Sequence, residues 1–256
     1  MVDPELKKLP LMEIFGPTIQ GEGIMIGAQT YFIRMGLCDY KCTMCDSMHA
    51  VDPDKVSKNA QWLTQAEILE AFTGYAHSHP QAQWITISGG NPAIHDLYRL
   101  TRDLKTLDFK LAVETQGSYY DGWLHQCDVI TVSPKGPGMG ERFEEDKFLD
   151  FMFLLRTNPG LNVKIVVFGK PDFDFAEHVL QLLQDNELIS PDRFYLSQGN
   201  PFPPGQSSIS TSSAHSLILH GRYLKLLKEL QERPQLSIAK FLPQLHVWLW
   251  SNKQGV

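Results

Sequence analysis

The sequence predicts an α/β fold, built as a partial, TIM-like (β/α)6 barrel. Six short runs of apolar and β-branched residues alternate with helical patterns, and this alternation is typical of parallel βαβ units. A closed barrel of eight such units takes about 250 residues. This chain of 256 residues offers six strands and an irregular stretch over its first sixty residues, so an open barrel fits better. The predicted strands cover residues 30–34, 84–88, 110–114, 129–133, 163–168 and 194–197.

Helical patterns fill most of the intervals between these strands. Thr64 and Glu67 form a capping-box pattern that predicts a helix ending near residue 76. The Pro-, Gly- and Ser-rich segment 199–213 is predicted to be a long mobile loop. We find neither a repeat nor a linker, so residues 1–256 are predicted to form one domain. Further helices are predicted over 95–107, 147–156, 175–186 and 214–233.

Composition and charge exclude several classes of protein. Hydrophobic residues make up 43% of the chain, which is enough for a sizeable core. A formal net charge of -6 argues against a surface that binds nucleic acid or an anionic membrane. The sequence has no apolar run that would span a bilayer and no signal-peptide pattern, so we expect a cytoplasmic protein. Because cytosolic thiols stay reduced, its four cysteines predict metal ligands or inert thiols rather than disulfides.

Polar, glycine-rich segments follow the predicted strands. The carboxyl ends of parallel strands meet at one edge of a sheet, where the active sites of such folds lie. These segments therefore predict one shared site. They are the cysteine-containing stretch after Arg34, SGGNP at 88–92, ETQG at 114–117, SPKG at 133–136 and SQGN at 197–200.

Three cysteines lie close together in the loop 36–50, at the spacing C-x3-C-x2-C. Cys38, Cys42 and Cys45 could bind zinc if His49 supplied the fourth ligand. They could instead hold a [4Fe-4S] cluster through three thiolates, which leaves one iron open to bind S-adenosyl-L-methionine. The spacing on a loop after the first predicted parallel strand resembles that of the radical SAM superfamily and favours the cluster. The fourth cysteine, Cys127, is predicted to be a buried, inert thiol.

The ordered set of motifs resembles one family, 7-carboxy-7-deazaguanine synthase (QueE), in its Bacillus-like form. The resemblance runs from about residue 11 to the end of the chain. It rests on EIFGPTIQGEG (13–23), Arg34, CDYKCTMCDS (38–47), SGGNP, ETQG, SPK and QLHVWLWSNKQGV (244–256).

The resemblance implies a radical SAM fold and a radical-mediated ring contraction. The substrate would be 6-carboxy-5,6,7,8-tetrahydropterin, rearranged to 7-carboxy-7-deazaguanine with loss of ammonia on the way to queuosine and related 7-deazapurines. It also implies a homodimer that needs a [4Fe-4S] cluster, S-adenosyl-L-methionine and Mg2+. Separately from the resemblance, a flavodoxin-like protein is expected as the electron donor.

The resemblance also assigns residues to the pterin substrate. The planar fork of Arg34 matches a carboxylate, and the amide of Gln20 with the carboxylate of Glu22 can pair with an aminopyrimidinone edge. His246 on its own would be a core histidine, but the resemblance implies a place near the substrate and a possible part in catalysis. The full set of implied substrate contacts is Gln20, Gly21, Glu22, Arg34, Thr115, His246 and the terminal carboxylate of Val256.

Cofactor contacts are implied as well. Ser47 resembles the Mg2+ ligand, and the C-terminal segment 236–256 is expected to close the active site. Asn91 departs from the Glu that other radical SAM enzymes more often have at this position. The implied contacts of S-adenosyl-L-methionine are Gly89, Gly90, Asn91, Gly117, Ser133, Pro134, Lys135, Ser197, Gln198, Gly199 and Asn200.

Two other classes of protein remain open from the residues alone. One is a different radical SAM enzyme, such as an activase that generates a glycyl radical on a partner protein. The other is a non-enzymatic, zinc-binding interaction module.

Overall fold

The computed structural model describes residues 7–78, 82–204 and 212–255. The strands in this part of the chain are β1 (Leu9–Ile19), β2 (Gln29–Met35), β3 (Gln61–Leu63), β4 (Trp84–Gly89), β5 (Lys110–Thr115), β6 (Val129–Val132), β7 (Leu161–Val167), β8 (Phe194–Gln198) and β9 (Lys240–Leu242). The helices are α1 (Met48–Val51), α2 (Pro53–Asn59), α3 (Gln65–Ser78), α4 (Tyr98–Thr106), α5 (Glu145–Leu155), α6 (Lys170–Asp185), α7 (Ser212–Gln231) and α8 (Leu245–Trp250).

The strands form one open sheet in the order β3-β1-β2-β4-β5-β6-β7-β8-β9. From β2 to β9 every neighbouring pair is parallel, whereas β1 is antiparallel to both β2 and β3. All six predicted strands are present, as β2 and β4 to β8, each with ends within two residues of the prediction. The sheet does not close, which confirms the predicted partial barrel, and its parallel part has seven strands rather than six because β9 adds one at the edge.

The prediction that the first sixty residues are irregular is wrong. Strand β1 runs over eleven residues, and it is hidden in the sequence by Pro10, Gly16 and Pro17. The pairing of β1 with β2 shifts register between Phe15 and Thr18, which places Gly16 and Pro17 in a bulge. Strand β3 pairs only with the first residues of β1. Pro17 therefore lies where β1 has one neighbour and a missing N–H is tolerated.

The predicted helices are present, with shifted ends. The capping box before α3 forms as expected, because Thr64 N donates to Glu67 Oε2 at 2.7 Å and Glu67 N donates to Thr64 Oγ1 at 3.3 Å. Helix α4 begins later than predicted, after a 3-10 turn at Pro92–Ile94. Helix α6 begins earlier, at Lys170, with a proline in its first turn. Of the predicted loop 199–213, residues 205–211 lie outside the described part of the chain, and 212–213 belong to α7.

Alternation along the strands separates the core from the site. On β2, Tyr31, Ile33 and Met35 are buried among the helices. Phe32 and Arg34 point to the opposite, concave face, where they line a cavity. The same geometry places residues of the other parallel strands around this cavity. None of the helices in the described ranges has the length and apolarity that crossing a bilayer requires.

Candidate active site

A cavity of about 230 Å³ lies on the concave face of the sheet, at the carboxyl ends of the parallel strands. Its walls also include the cysteine loop and the C-terminal segment. The sequence-predicted site residues that line it are Gln20, Gly21, Glu22, Arg34, Cys38, Cys42, Cys45, Ser47, Gly89, Gly90, Thr115, Ser133, Lys135, Asn200 and His246.

Other predicted site residues lie behind the cavity wall. They are Asn91, Gly117, Pro134, Ser197, Gln198 and Gly199, none of which contributes to the lining. A side chain at Gly117 would collide with Val132, and one at Gly199 with the ring of Phe168, so both glycines serve packing. Val256 lies outside the described residues, so its predicted substrate contact stays a prediction.

The three thiols of the cysteine loop share this cavity. Cys38 Sγ accepts hydrogen bonds from Tyr40 N at 3.4 Å and from Gln116 Nε2 at 3.5 Å. Burial raises the pKa of Cys42 to about 11 and that of Cys45 to about 12. The thiols are therefore protonated at neutral pH in the metal-free chain, and binding iron as thiolates would release protons.

The donor set fits a cluster better than a single zinc ion. Within residues 7–78, 82–204 and 212–255, no group of three His, Cys, Asp or Glu side chains is placed to hold one ion. A tetrahedral zinc needs its ligands to converge, whereas a [4Fe-4S] cluster takes each thiolate on a different iron. His49, the fourth ligand of the zinc alternative, lies instead 3.6 Å from Glu13 Oε1 and 3.2 Å from Gln254.

Asp39 ties the cysteine loop to the tips of β4 and β5. Its carboxylate accepts hydrogen bonds from Gln116 Nε2 at 2.6 Å, Ser118 Oγ at 2.5 Å and Asn91 Nδ2 at 2.9 Å. Asn91 is fully buried, and its Oδ1 accepts from Thr115 Oγ1 at 2.8 Å. The Asn91 amide thus holds the loop rather than facing the cavity, and a Glu at this position would repel Asp39.

The two glycines before Asn91 are needed for the same packing. A Cβ on Gly89 would overlap the backbone of Met35, and a Cβ on Gly90 would overlap that of Leu37. Gly89 also has a φ of +134°, which L side chains rarely adopt. The loop that carries the cysteines can therefore lie directly against the end of β4.

The segment 137–145 braces the cysteine loop from the other side. Thr43 N donates to Met139 O at 3.0 Å, and Lys41 N donates to Glu141 Oε1 at 2.6 Å. Two backbone positions between the cysteines are thus fixed by one neighbouring turn.

Arg34 is oriented before any ligand binds. Its Nε donates to Glu13 Oε1 at 2.7 Å, its Nη1 to Ser47 Oγ at 3.4 Å, and its guanidinium lies 5.2 Å from the ring centre of Phe15. Burial would raise the pKa of Glu13, but His49 and Arg34 lower it below the usual value, so Glu13 is an ionised partner of Arg34.

Ser47 stands at the N-cap position of α1 but makes no side-chain cap hydrogen bond. Its hydroxyl donates to Asp46 Oδ1 at 3.0 Å and lines the cavity. The Ser47 side chain therefore does not cap this helix. Its oxygen and that of Asp46 are of the kind that Mg2+ prefers.

A chain of buried polar groups forms the floor of the cavity. Lys164 Nζ donates to Glu22 Oε2 at 2.5 Å, and Gln244 Nε2 donates to Glu22 Oε1 at 2.8 Å. Nearby, Gln20 Nε2 donates to Glu114 Oε1 at 3.3 Å. All five side chains line the cavity. Sequence reasoning gave none of Lys164, Glu114 and Gln244 a role of its own. Glu114 and Gln244 stood within segments predicted to form the site, whereas Lys164 stood inside an ordinary apolar strand.

The ionisation of the floor follows from this pairing. Burial alone would raise the pKa of Glu22, but Lys164 and His246 lower it to about 2. Burial would lower the pKa of Lys164, yet Glu22 and Glu114 raise it. Lys164 and Glu22 are therefore both charged at neutral pH. Burial raises the pKa of Glu114, since the attraction of Lys164 is smaller than that effect.

The C-terminal segment forms one wall of the cavity. Leu245 N donates to Gly21 O at 2.9 Å, and a Cβ on Gly21 would lie only 2.2 Å from His246 Nδ1. On the other side, Asn200 N donates to Gln244 Oε1 at 3.0 Å. The N-terminal TIQGEG motif, the tip of β8 and α8 are thus held together.

Ser88 is a further residue of the cavity that sequence reasoning left unassigned. Its hydroxyl is buried, lines the cavity and has no hydrogen-bond partner among the described residues. Buried polar atoms are rarely left unpaired, so this hydroxyl fits a contact with a bound molecule. The motif SGGNP could not show that the Ser88 hydroxyl lacks a partner, since this depends on the residues that pack around it.

Known proteins of similar sequence identify the family. The chain is 37% identical over 259 residues to 7-carboxy-7-deazaguanine synthase of Bacillus subtilis, covering 98% of this chain and 99% of that protein. The enzyme of the same name from Bacillus cereus is 36% identical over 98% of this chain and 100% of its own length. The chain belongs to the 7-carboxy-7-deazaguanine synthase family. No protein-family model matches the sequence.

The fold agrees with this membership. The crystal structure of QueE from Escherichia coli aligns with 93% of this chain and 95% of its own, at a TM-score of 0.64 and 22% identity. The predicted family resemblance is confirmed. The 7-carboxy-7-deazaguanine synthase family belongs to the radical SAM enzymes, which implies a [4Fe-4S] cluster and S-adenosyl-L-methionine, and the three cysteines fit that cluster.

Proposed function

We propose that this protein converts 6-carboxy-5,6,7,8-tetrahydropterin into 7-carboxy-7-deazaguanine with loss of ammonia, as a carbon–nitrogen lyase of queuosine and 7-deazapurine biosynthesis. One observation carries the proposal. A single cavity brings together the three-cysteine loop, an arginine fork and a floor of amides and carboxylates. These groups match a cluster, a substrate carboxylate and a donor-rich heterocycle respectively.

The cofactors belong at the cysteine end of the cavity. Cys38, Cys42 and Cys45 would hold a [4Fe-4S] cluster, which together with S-adenosyl-L-methionine supplies the radical chemistry when bound. Gly90, Ser133, Lys135 and Asn200 also line the cavity, and we assign them to the methionine and adenine parts of the cofactor. Lys135 Nζ donates to Ser133 Oγ at 3.0 Å. Its ammonium group would also pair with the carboxylate of S-adenosyl-L-methionine.

The substrate would occupy the part of the same cavity that lies next to Arg34 and the TIQGEG motif. The Arg34 fork would bind the substrate carboxylate, while Gln20, Gly21 and His246 face the ring. Thr115 lines the cavity but donates to Asn91, so its contact with substrate would use only its remaining acceptor lone pairs.

Mg2+ would be held near Ser47, with the substrate carboxylate completing its coordination. Because Ser47 is a neutral ligand, the ion should bind weakly without substrate. The test is the Mg2+ dependence of product formation by Ser47→Ala, with Ser47→Thr as the matched control. The threonine variant should keep the dependence and the alanine variant should lose it. Equal responses of both variants would remove Ser47 from the Mg2+ site.

The function is tested by anaerobic reconstitution with iron and sulfide, followed by an assay for 7-carboxy-7-deazaguanine and 5′-deoxyadenosine. We expect product formation that depends on both S-adenosyl-L-methionine and a reductant. Stoichiometric zinc without iron would support the interaction module instead. Glycyl-radical formation on a partner protein without pterin turnover would support an activase.

We further infer a homodimer, a cytoplasmic location and a flavodoxin-like electron donor. The exposed apolar side chains of Leu217 and Leu224 on α7 support a subunit contact, since 73% and 46% of their surfaces are accessible. Size-exclusion chromatography with light scattering tests the dimer. Product formation with reduced flavodoxin in place of a chemical reductant tests the donor.

A further inference from the structure

We infer that Glu114 is the carboxylate that receives the donor edge of the substrate ring, and that Glu22 serves as the counter-ion of Lys164. This inference rests on the proposed function, since it concerns how the same cavity recognises its pterin. It changes the pairing expected from the sequence, in which Gln20 and Glu22 acted together.

Glu22 is already engaged by protein groups. Each of its two carboxylate oxygens accepts a hydrogen bond, from Lys164 at 2.5 Å and from Gln244 at 2.8 Å. The side chains of Lys164 and Glu22 are only 7% and 9% exposed. A buried ammonium needs a buried counter-charge, and removing one partner of such a pair is strongly destabilising. The charge of Glu22 is therefore used inside the protein.

Glu114 has more hydrogen-bonding capacity left. It stands near the end of β5, lines the cavity and accepts one hydrogen bond, the 3.3 Å contact from Gln20. A carboxylate offers about four lone-pair sites. In contrast to Glu22, its side chain remains partly exposed, and the surface it exposes faces the cavity.

Gln20 and Glu114 together present the right pattern for a 2-aminopyrimidin-4-one. Gln20 Oε1 accepts from Gly21 N at 2.7 Å, which fixes the amide with its N–H groups directed to Glu114. The ring amide N–H and the exocyclic amino group of the substrate are adjacent donors, and a carboxylate accepts such a pair in bidentate fashion. The carbonyl oxygen beside them can accept from the second N–H of Gln20.

The charge balance of the floor supports this division. Lys164 and Glu22 cancel each other, so an ionised Glu114 would carry the remaining negative charge. Burial raises the pKa of Glu114 in the empty cavity, and donors from a bound ring would favour its ionised form. A neutral ring with N–H donors is thus bound better than one with acceptors at the same positions.

Two isosteric variants separate the roles, Glu114→Gln and Glu22→Gln. Pterin-6-carboxylic acid serves as a binding probe, with its fluorescence followed in the absence of reductant. We expect Glu114→Gln to keep the wild-type Tm and to weaken probe binding and raise KM by about tenfold, because a hydrogen bond to a charged group is lost. We expect Glu22→Gln to lower Tm, because it leaves Lys164 uncompensated.

The double variant Glu22→Gln/Lys164→Met keeps the test informative if Glu22→Gln folds poorly. It removes both charges and should recover part of the lost Tm while still binding the probe. The inference is overturned if Glu114→Gln binds the probe like wild type, or if Glu22→Gln weakens binding at an unchanged Tm. If wild-type protein neither binds the probe nor makes product, the proposed function fails, and the Tm measurements still test the Glu22–Lys164 pair.

Discussion

At the scale of single residues, the geometry of Arg34 leads to a direct prediction. Arg34→Lys keeps the positive charge but loses the planar fork that Glu13 orients at 2.7 Å. We expect KM for the pterin to rise about tenfold, since one charge-assisted hydrogen bond is lost, with little change in Tm. Steady-state kinetics of Arg34→Lys beside the exposed control Arg102→Lys measures this. An unchanged KM would contradict carboxylate binding by Arg34.

The residues of the site were only partly predictable from the sequence. Cys38, Cys42, Cys45 and Arg34 follow from spacing and from the end of a predicted strand. Lys164 could not be found in this way, because a lysine inside an apolar run does not show which face of the sheet its side chain lies on. Its partner Glu22 is separated from it by 142 positions.

The direction of the Asn91 side chain could not be predicted for a related reason. Its motif predicted a cofactor contact, but the direction of its amide depends on Asp39, which the folded loop brings beside it. Sequence spacing shows that two residues stand at the same end of the sheet. It does not show which of them face the cavity.

At the scale of elements, the attachment of the cysteine loop predicts a defect in metal loading. Asn91→Asp is isosteric but replaces the donor to Asp39 with a second carboxylate, at a cost of about 1–3 kcal/mol. We expect a lower Tm and less iron and sulfide after reconstitution. The exposed Gln61→Glu is the matched control and should load normally. Full iron content in Asn91→Asp would show that the loop does not need this bond.

The contact between the TIQGEG motif and helix α8 gives a second prediction at this scale. A methyl group on Gly21 would overlap His246, so Gly21→Ala should displace α8, lower stability by about 1–3 kcal/mol and raise KM. Gly74→Ala in α3 is the control, because a Cβ there meets nothing within 4 Å. Its stability should be equal to wild type or higher. Equal KM and Tm for Gly21→Ala would exclude a tight contact in solution.

Elements with strong periodicity were predictable, and short or interrupted ones were not. Strands β4 and β5 stood out as β-branched runs between turn residues, and the capping box marked α3. Strand β1 was missed because a proline and a glycine interrupt its pattern, although the bulge and the single neighbour accommodate both. The three-residue β9 at the sheet edge has too few residues to show alternation.

At the scale of the whole molecule, the buried pair on the cavity floor predicts how stability depends on pH. The pKa of Glu22 is lowered to about 2 in the folded state from an ordinary 4.5. Its contribution to stability is therefore complete above pH 4.5 and is lost as the pH falls toward 2. In Glu22→Gln, Tm should be lower at pH 7 and fall less steeply between pH 5 and 3.

The measurement is Tm by differential scanning fluorimetry across this range. The exposed Glu70→Gln serves as the control and should reproduce the wild-type curve. If Glu22→Gln and wild type lost Tm in parallel as the pH fell, Glu22 would not be ionised in the folded protein.

The cavity is walled by residues from both ends of the chain, which has a consequence for biosynthesis. Proteins are made from the N-terminus, so the cysteines leave the ribosome long before Gln244 and His246 cover them. Until the C-terminal segment emerges, the nascent chain therefore lacks one wall of the cavity, and iron can reach the cysteines from that direction. Ribosome-bound chains arrested before Gln244 emerges should accept iron but bind no pterin; failure to take up iron at that stage would place cluster insertion after release.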